Sequence, residues 1–209
     1  MSTPWAELLS RPAEEAAWDM LGCTIVVRDE AGAVAIRLTE VEAYSGELDP
    51  GSHAYRGQTA RTAPMFGAGG RLYVYFTYGM HWCSNIVCGR PGSASALLLR
   101  GGEVVRGIDL ARSRRRAARS DRDLARGPAR LAQALGLTGQ DSGRELAVGG
   151  RAELELAPPP RRADVRTGPR VGLTGPGGDG TTFPWRFWID GDPTVSTYRP
   201  GVRRHRRRT

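Results

Sequence analysis

The sequence predicts a single compact α+β domain whose curved, mostly antiparallel β-sheet is open-barrel-like, with flanking helices and a protruding β-hairpin. Segments rich in β-branched and aromatic residues dominate the first half of the chain. Helix-favouring segments interrupt the middle, so strands and helices do not alternate as they do around a parallel sheet. The length of 209 residues is typical of one domain, which we assign to residues 1–200, and we expect the basic tail at 201–209 to be disordered.

The first predicted elements are a helix and two strands. Ser10 is a candidate cap for a helix that Gly22 ends. The β-branched segment 23–28 and the alternating segment 33–44 predict two strands joined by a turn. Residues 45–70 are polar and Gly-rich, and a loop of this length inside a domain usually serves a function.

A β-hairpin and a buried strand follow this loop. The aromatic segment 71–77 and the segment 81–88 predict the two strands of the hairpin, with residues 78–80 as its turn. The apolar segment 94–99 is short and uninterrupted, which predicts a strand that is buried on both faces.

The second half of the chain contains two predicted helices and several shorter segments. Residues 103–119 have a helical composition, and Pro128 and Gly136 bracket a second helix. Residues 157–169 are predicted to form a Pro/Arg-rich loop. Residues 170–175 and 185–191 are predicted to form two short β-like segments.

The basic excess of the chain is made wholly of arginine. The 30 basic residues, none of them lysine, stand against 22 acidic residues and give a net charge of +8. The absence of lysine excludes lysine Schiff-base chemistry and the lysine of a P-loop. A strongly basic chain favours a polyanionic partner, nucleic acid before an anionic membrane surface, and guanidinium groups suit phosphates and base edges.

Other features of the composition bear on location and metal content. No apolar run approaches the ~18 residues needed to span a membrane, and the N-terminal segment lacks the pattern of a secretory signal. Cys23, Cys83 and Cys88 are too few for a disulfide framework. His81 and Cys83 share one side of the hairpin, but their spacing matches no zinc signature. We therefore expect a cytoplasmic protein, nucleoid-associated in a bacterium, with reduced thiols, no metal site and no membrane contact.

Glu42 is the carboxylate most indicative of chemistry. It has the same strand parity as Val34, Ile36 and Leu38, so it extends an otherwise apolar face. Burial at that position favours the protonated carboxyl and makes the ionised form a stronger base. In the alternative interpretation the core ends at Leu38, and both Glu40 and Glu42 face water.

The hairpin carries aromatic side chains around its tip. On a basic protein, such a hairpin can insert one side chain into duplex DNA and stack others on an extruded base. Aromatic residues are also common in strands simply because they pack well there, so both interpretations stay open. The side chains concerned are Tyr73, Tyr75, Tyr78 and Trp82.

A cluster of arginines in the predicted 103–119 helix also has two interpretations. Its side chains either contact the phosphates of a nucleic acid or form a solvated helix face, and the sequence favours neither. The cluster consists of Arg112, Arg114, Arg115, Arg116 and Arg119.

Several blocks of the sequence, taken in order, resemble one enzyme family. The blocks are EVEAY, SHAYRGQTARTAPMF, LYVYFTYGMHWCSN, ALLLRGGE, RGPARLAQALG, PRVGL and WRFWIDG. Between about Leu21 and Ser196 the chain closely resembles the alkyladenine (3-methyladenine) DNA glycosylase family, the type also found in mammals. The resemblance implies a single α+β domain, which we expect to be monomeric, that excises damaged purines without a metal or cofactor.

The resemblance also implies roles for individual residues in catalysis and DNA contact. Glu42 matches the glutamate that activates the attacking water, and Arg100 and the backbone carbonyl of Val171 match groups that help to hold that water. Tyr78 matches the wedge that fills the gap left in the duplex by the flipped nucleotide, with Met80 beside it.

A second set of residues matches the pocket for the flipped base. Tyr44, His53 and Tyr75 match the side chains that sandwich the base, and Asn85 matches an asparagine associated with the exclusion of normal guanine. An electron-rich pocket of this kind favours a cationic base through its π faces.

The resemblance implies a monofunctional glycosylase of base excision repair acting on duplex DNA. Its substrates are 3-methyladenine and 7-methylguanine, with hypoxanthine and ethenoadenine as further candidates, and its product is an abasic site. The lack of lysine agrees with hydrolysis by water and without strand cleavage. The alternatives are a non-catalytic nucleic-acid-binding module, which would bind DNA without releasing a base, and an enzyme directed at RNA.

Overall fold

The structure is a computed structural model that describes residues 3–202. In this part of the chain, eight strands form one antiparallel sheet, accompanied by four short helices. The sheet is not closed, and the predicted fold class is confirmed. Residues 203–209 of the predicted tail lie outside the described residues. The helices are α1 (Ala6–Leu9), α2 (Ala13–Met20), α3 (Ile108–Arg114) and α4 (Pro128–Leu135). The strands are β1 (Thr24–Asp29), β2 (Gly32–Tyr44), β3 (Leu72–Thr77), β4 (His81–Val87), β5 (Ala96–Arg106), β6 (Ala152–Glu155), β7 (Val165–Gly168) and β8 (Arg186–Ile189).

The 13-residue strand β2 is the centre of the sheet. It pairs with β5 along one edge, and along its other edge it pairs first with β1 and then with β8. The continuous order is β3-β4-β5-β2-β1-β6, and β7 pairs with β8. The second half of β2, which contains Glu40 and Glu42, therefore lies between two neighbouring strands.

The pairing of β2 with β5 is irregular around Glu40. The register shifts between Leu38 and Glu40 and again between Glu40 and Val41, and such irregularities bend a strand. Opposite them, β5 carries two glycines, Gly101 and Gly102. A side chain on Gly101 would come within 2.9 Å of the Thr194 carbonyl oxygen, so the close approach at this position requires glycine.

The main core lies where α2 and α4 pack against the sheet. The predicted apolar face of α2 has no solvent exposure and contacts β2 and β5. Helix α4 buries Leu131 and Leu135 against β4 and β5. Fully burying one such leucine contributes about 1.5–3 kcal/mol. The face of α2 consists of Ala13, Ala16, Ala17 and Met20.

Two predictions about the second half of the chain were wrong. Residues 103–106 continue β5, because the two glycines let β5 stay paired with β2 where a helix was predicted to begin. The segment 170–175 is not a strand, and the strand of this region is β7, which lies inside the predicted loop 157–169 and pairs with β8. Strand β6 was not predicted, since its four residues carry no distinctive pattern.

The start of α2 also differs from the prediction. The Ser10 hydroxyl donates a hydrogen bond to the carbonyl oxygen of Glu7 and does not cap α2. Pro12 occupies the cap position, in an extended conformation. The predicted strands of the first half, the hairpin and the strand near 94–99 are confirmed in position.

Candidate active site

A pocket of about 300 Å³ lies beside the hairpin and collects almost all the predicted site residues. Strands and loops that are distant in sequence contribute to it. Met80 is the exception, since it is 68% exposed at the hairpin tip and does not line the pocket. The predicted residues that line the pocket are Glu42, Tyr44, His53, Tyr75, Tyr78, Asn85, Arg100 and Val171.

Glu42 lies at this pocket with its side chain fully buried. Its exposed fraction is 0%, and β5 and β8 flank it on the two edges of β2. The interpretation in which Glu40 and Glu42 face water is therefore wrong for both residues, because Glu40 is also 0% exposed. The burial expected for Glu42 is confirmed, and Val41 and Ala43 on the opposite face of β2 are buried as well.

Three donors hold the carboxylate of Glu42. The backbone N–H of Val171 donates to Oε1 at 2.6 Å. The Tyr44 hydroxyl donates to Oε2 at 2.9 Å, and Nη1 of Arg100 donates to the same oxygen at 3.4 Å. A carboxylate has about four lone-pair positions, so this arrangement fixes Glu42 and leaves it able to accept one more hydrogen bond.

Glu40 forms a second buried carboxylate site behind Glu42. Its Oε1 accepts hydrogen bonds from Nε of Arg186 at 2.6 Å and Nε of Arg100 at 3.1 Å. Ser196 donates to Glu40 through its hydroxyl at 3.0 Å and through its backbone N–H at 2.7 Å. Arg100 thus bridges the two glutamates, and its shorter contact is with Glu40.

The charges in this network stabilise one another. Burial alone would raise the pKa of Glu40, but the positive charges of Arg100 and Arg186 outweigh it and the pKa is lowered. Burial alone would lower the pKa of Arg100, but the charges of Glu42 and Glu40 outweigh it and the pKa is raised. Glu40 and Arg100 therefore stay charged, and two carboxylates face two guanidinium groups in a dry environment.

A second buried ion pair, between Asp49 and Arg170, was not indicated by any pattern in the sequence. Both side chains are 0% exposed, and the guanidinium binds the carboxylate through two contacts of 2.5 and 2.6 Å. The guanidinium carbon also lies 4.6 Å from the centre of the Tyr44 ring. Because Val171 follows Arg170 in the chain, this pair positions both the hydroxyl and the N–H that hold Glu42.

Tyr75 and His53 form an aromatic wall of the pocket. Their ring centres are 4.6 Å apart in an edge-to-face arrangement, and Nδ1 of His53 lies 3.1 Å from the Tyr73 hydroxyl. Burial and the positive charge of Arg61 lower the pKa of His53 to about 4. Burial raises the pKa of Tyr75, so both groups are neutral near pH 7.

The hairpin tip projects one aromatic side chain. Tyr78 is 79% exposed and has a φ of 51°, the one positive φ of a non-glycine residue in the described part of the chain. Such backbone strain is often associated with functional positions. At the base of the hairpin, Nδ2 of Asn85 donates to the backbone carbonyl of Tyr73 at 2.9 Å, which fixes the amide at the pocket wall.

The predicted arginine cluster is not one face of a helix, because α3 ends at Arg114. Arg112 pairs with Asp109 and Asp121, and Arg114 pairs with Asp29. Part of the cluster therefore serves local ion pairs, and the remaining members lie in the segment that follows α3.

Residues 3–202 contain neither a metal-binding cluster nor a membrane-spanning helix. No group of three or more His, Cys, Asp or Glu side chains in this part of the chain is placed to hold a metal ion. None of the helices described is long and apolar enough to cross a membrane.

Comparisons with known proteins give one consistent result. The family model described as methylpurine-DNA glycosylase matches residues 7–193. The "Putative 3-methyladenine DNA glycosylase" of Streptomyces avermitilis is 52% identical over 203 residues, which cover 96% of this chain and 94% of that protein. Proteins of the same name in Leifsonia xyli and Burkholderia orbicola are 48% and 43% identical, covering 95% and 92% of this chain and 94% and 90% of theirs.

Proposed function

This chain belongs to the methylpurine-DNA glycosylase family, and we propose that it flips alkylated purines out of duplex DNA and hydrolyses their bond to the sugar. As a DNA glycosylase of DNA repair it is an enzyme, so the interpretation as a non-catalytic binding module is discarded. The proposed substrates are 3-methyladenine and 7-methylguanine, and the proposed product is an abasic site.

One observation carries the proposal: a fully buried, hydrogen-bonded glutamate lies beside an aromatic-lined pocket. Three donors fix Glu42, and its remaining acceptor position suits a water molecule that attacks C1′ of the sugar. Glu42 accepts the proton of that water as a general base. Arg100 and the carbonyl oxygen of Val171 are proposed to hold the water, and the glutamate charge stabilises the oxocarbenium-like transition state.

The pocket wall suits a cationic leaving group. Alkylation at N3 or N7 makes a purine positively charged, so its departure requires little protonation. Tyr44 and Tyr75 are neutral because their pKa values are raised, in both cases first by burial, and their π faces attract a stacked cation. His53 with a pKa of about 4 is a poor proton donor at pH 7, which disfavours neutral lesions such as hypoxanthine.

The product follows from the absence of lysine. Enzymes that cut the strand after base removal use an amine, and no lysine is available in this chain. We therefore expect an intact strand with an abasic site, and a nick formed without alkali or an added lyase would contradict this expectation.

A panel of duplexes, each with one lesion, tests the proposal by the base released. Wild type should release 7-methylguanine, and Glu42→Gln should be slower by about 10²- to 10⁴-fold, the usual contribution of a general base. Glutamine can still accept from the backbone N–H of Val171, but it loses the charge that pairs with Arg100, so the rates are compared per folded protein, with the folded fraction measured by circular dichroism. Equal rates for the two proteins would remove Glu42 from the chemistry, and release of base from RNA but not from DNA would redirect the proposal to RNA.

A further inference from the structure

The arginines of this chain divide into those that pair with carboxylates and those that do not. Of the 25 arginines in residues 3–202, 14 lie within 4.0 Å of a carboxylate oxygen. Six of the other eleven fall between residues 115 and 130, so unneutralised positive charge is concentrated in this one segment. These six are Arg115, Arg116, Arg119, Arg122, Arg126 and Arg130.

Four of these six arginines line a single groove of about 580 Å³, which we call the arginine groove. Asp123 is the one carboxylate among its lining residues, and it accepts a hydrogen bond from the Ser120 hydroxyl. The lining therefore carries a net charge of +3. A concave surface focuses the field of its charges, which distinguishes it from a convex solvated face. The four arginines are Arg115, Arg119, Arg122 and Arg130.

Arg115 is the fixed member of the arginine groove. Its Nε donates to the carbonyl oxygen of Leu124 at 3.2 Å, and its Nη1 donates to the side-chain oxygen of Gln133 at 2.8 Å. Partial burial and the positive charge of Arg130 lower the pKa of Arg115. The charge of Asp123 opposes this shift but does not outweigh it, so the repulsion between Arg115 and Arg130 would be relieved by a bound anion.

The start of α4 contributes to both the proposed active site and the arginine groove. Pro128 lines the pocket that contains Glu42, and Arg130 lines the groove two residues later. Side chains two positions apart on a helix point to nearly opposite sides, so the first turn of α4 forms part of the wall of both cavities.

We propose that the arginine groove binds phosphodiester groups of the DNA strand next to the nucleotide held in the pocket. Guanidinium groups bind phosphate oxygens through two parallel hydrogen bonds, and the exposed side chains of Arg119, Arg122 and Arg130 are free to adopt that geometry. The inference rests on the proposed function and adds to it a surface that increases the affinity for the duplex without touching the reacting nucleotide.

Salt-dependent DNA binding tests this proposal. The triple variant Arg119→Gln/Arg122→Gln/Arg130→Gln leaves the structural contacts of Arg115 in place and changes exposed side chains only. On an undamaged 20-base-pair duplex, each arginine that no longer binds a phosphate should reduce the slope of log K against log salt by about 0.9, so the slope should fall by about two to three. At 100 mM salt the Kd should rise on the order of a hundredfold.

Arg112→Gln is the matched control. Arg112 is exposed and lies next to the same segment, but two carboxylates already neutralise it. For this variant, the slope of log K against log salt should equal that of wild type. Its Kd for the duplex should change by less than about twofold, because an exposed ion pair contributes little energy. Inorganic phosphate at constant ionic strength is the second control, and it should displace the duplex no better than chloride does.

Two outcomes overturn the proposal. One is a wild-type slope and affinity in the triple variant, and the other is specific displacement of the duplex by inorganic phosphate, which would indicate a small-anion site. Single-turnover excision of 7-methylguanine at saturating enzyme separates this proposal from the proposed function. The triple variant should excise the base at the wild-type rate once the DNA is saturated with enzyme. Failure of wild type to release any base would overturn the proposed function, and the salt slopes would remain an independent test of the groove.

Discussion

Charged side chains are used in opposite ways in two regions. One is the buried network of Glu40, Glu42, Arg100 and Arg186, which we call the pocket floor, and the other is the arginine groove. At the floor, Glu40, Glu42, Arg100 and Arg186 are at most 6% exposed, and every charge is paired with its opposite. In the groove, four arginines share one carboxylate, and three of the four are exposed. The floor therefore fixes the position of a reacting group, whereas the groove keeps its charge available to a partner.

The difference follows from the cost of burying charge. A buried charge loses its hydration, so it is tolerated only with close partners, and it is then held rigidly and screened little by salt. An exposed charge keeps its water and acts over a longer distance, but salt weakens it. We expect substitutions at the floor to change folding and catalysis with little salt dependence, and substitutions in the groove to change binding in a salt-dependent way.

The largest expected effect is that of Arg100→Met. This change leaves Glu42 without its cation and Glu40 with Arg186 alone. Removing one partner of a buried charge network costs about 3–5 kcal/mol, so the free energy of unfolding should fall by this amount. Urea denaturation measures the loss, and base release by the folded fraction should fall by at least about a hundredfold, the usual effect of removing a donor that stabilises charge at the reacting centre.

Arg37→Met is the matched control for Arg100→Met. Arg37 is also on a strand of the sheet and pairs with Glu103 and Asp192, but its side chain is 33% exposed. The Arg37–Glu103 pair is exposed and contributes about 0–1 kcal/mol, whereas Asp192 is 11% exposed and accepts other hydrogen bonds from Thr194, so this variant should lose clearly less stability than Arg100→Met. If both variants lost the same stability, burial would not distinguish the two classes of arginine.

The sequence predicted the part of the site that depends on local pattern. Alternation along β2 placed Glu42 on the apolar face, and the aromatic hairpin was visible in the segment around Tyr75 and Tyr78. The resemblance then indicated the other pocket residues, and all of them except Met80 line one cavity. Their individual roles in the reaction stay predictions.

The buried ion pairs behind the partners of Glu42 could not be predicted, because they depend on contacts distant in sequence. Asp49 and Arg170 are 121 residues apart, and Glu40 and Arg186 are 146 apart. Nothing local marks Asp49, Arg170 or Arg186 as buried. The predicted strand ended before Gly101 and Gly102, yet these glycines allow a close approach to β2 that only the assembled sheet requires.

A smaller effect is expected at the hairpin tip, which is exposed but uncharged. Tyr78→Asn removes the proposed wedge while keeping a residue type that tolerates a φ of 51°. Stacking of one aromatic side chain on a base contributes about 1–3 kcal/mol, so excision from a duplex should slow by roughly tenfold to a hundredfold. The measurement is the single-turnover rate with one 7-methylguanine in the duplex.

The same lesion in a single strand is the control for Tyr78→Asn. A single strand has no complementary strand, so a flipped nucleotide leaves no gap in a duplex for Tyr78 to fill. Wild type and variant should therefore release the base at similar rates. Equal slowing on both substrates would show that Tyr78 shapes the pocket and does not act as a wedge.

The smallest expected effect concerns His53, a neutral side chain of the pocket wall whose pKa responds to the charge of Arg61. Its pKa in the folded protein is about 4, lowered by burial and by Arg61, against about 6.5 for an unperturbed histidine. The unfolded chain therefore binds a proton that the folded chain does not bind between these values. Stability contributed by neutral His53 is present above about pH 6.5 and is lost as the pH falls towards 4, and the contribution is small because the side chain is partly exposed to solvent.

Arg61→Gln separates the two causes of this low pKa. Arg61 lacks a carboxylate partner among the described residues, and its guanidinium carbon lies 5.3 Å from the centre of the Tyr75 ring. Without its charge, the pKa of His53 should rise but stay below 6.5, because burial is the larger cause. An NMR titration of the His53 ring protons measures the change, with Arg56→Gln as the control in the same loop. A pKa that did not move would mean that burial alone keeps His53 neutral, and that unpaired arginine charge does not reach the pocket wall.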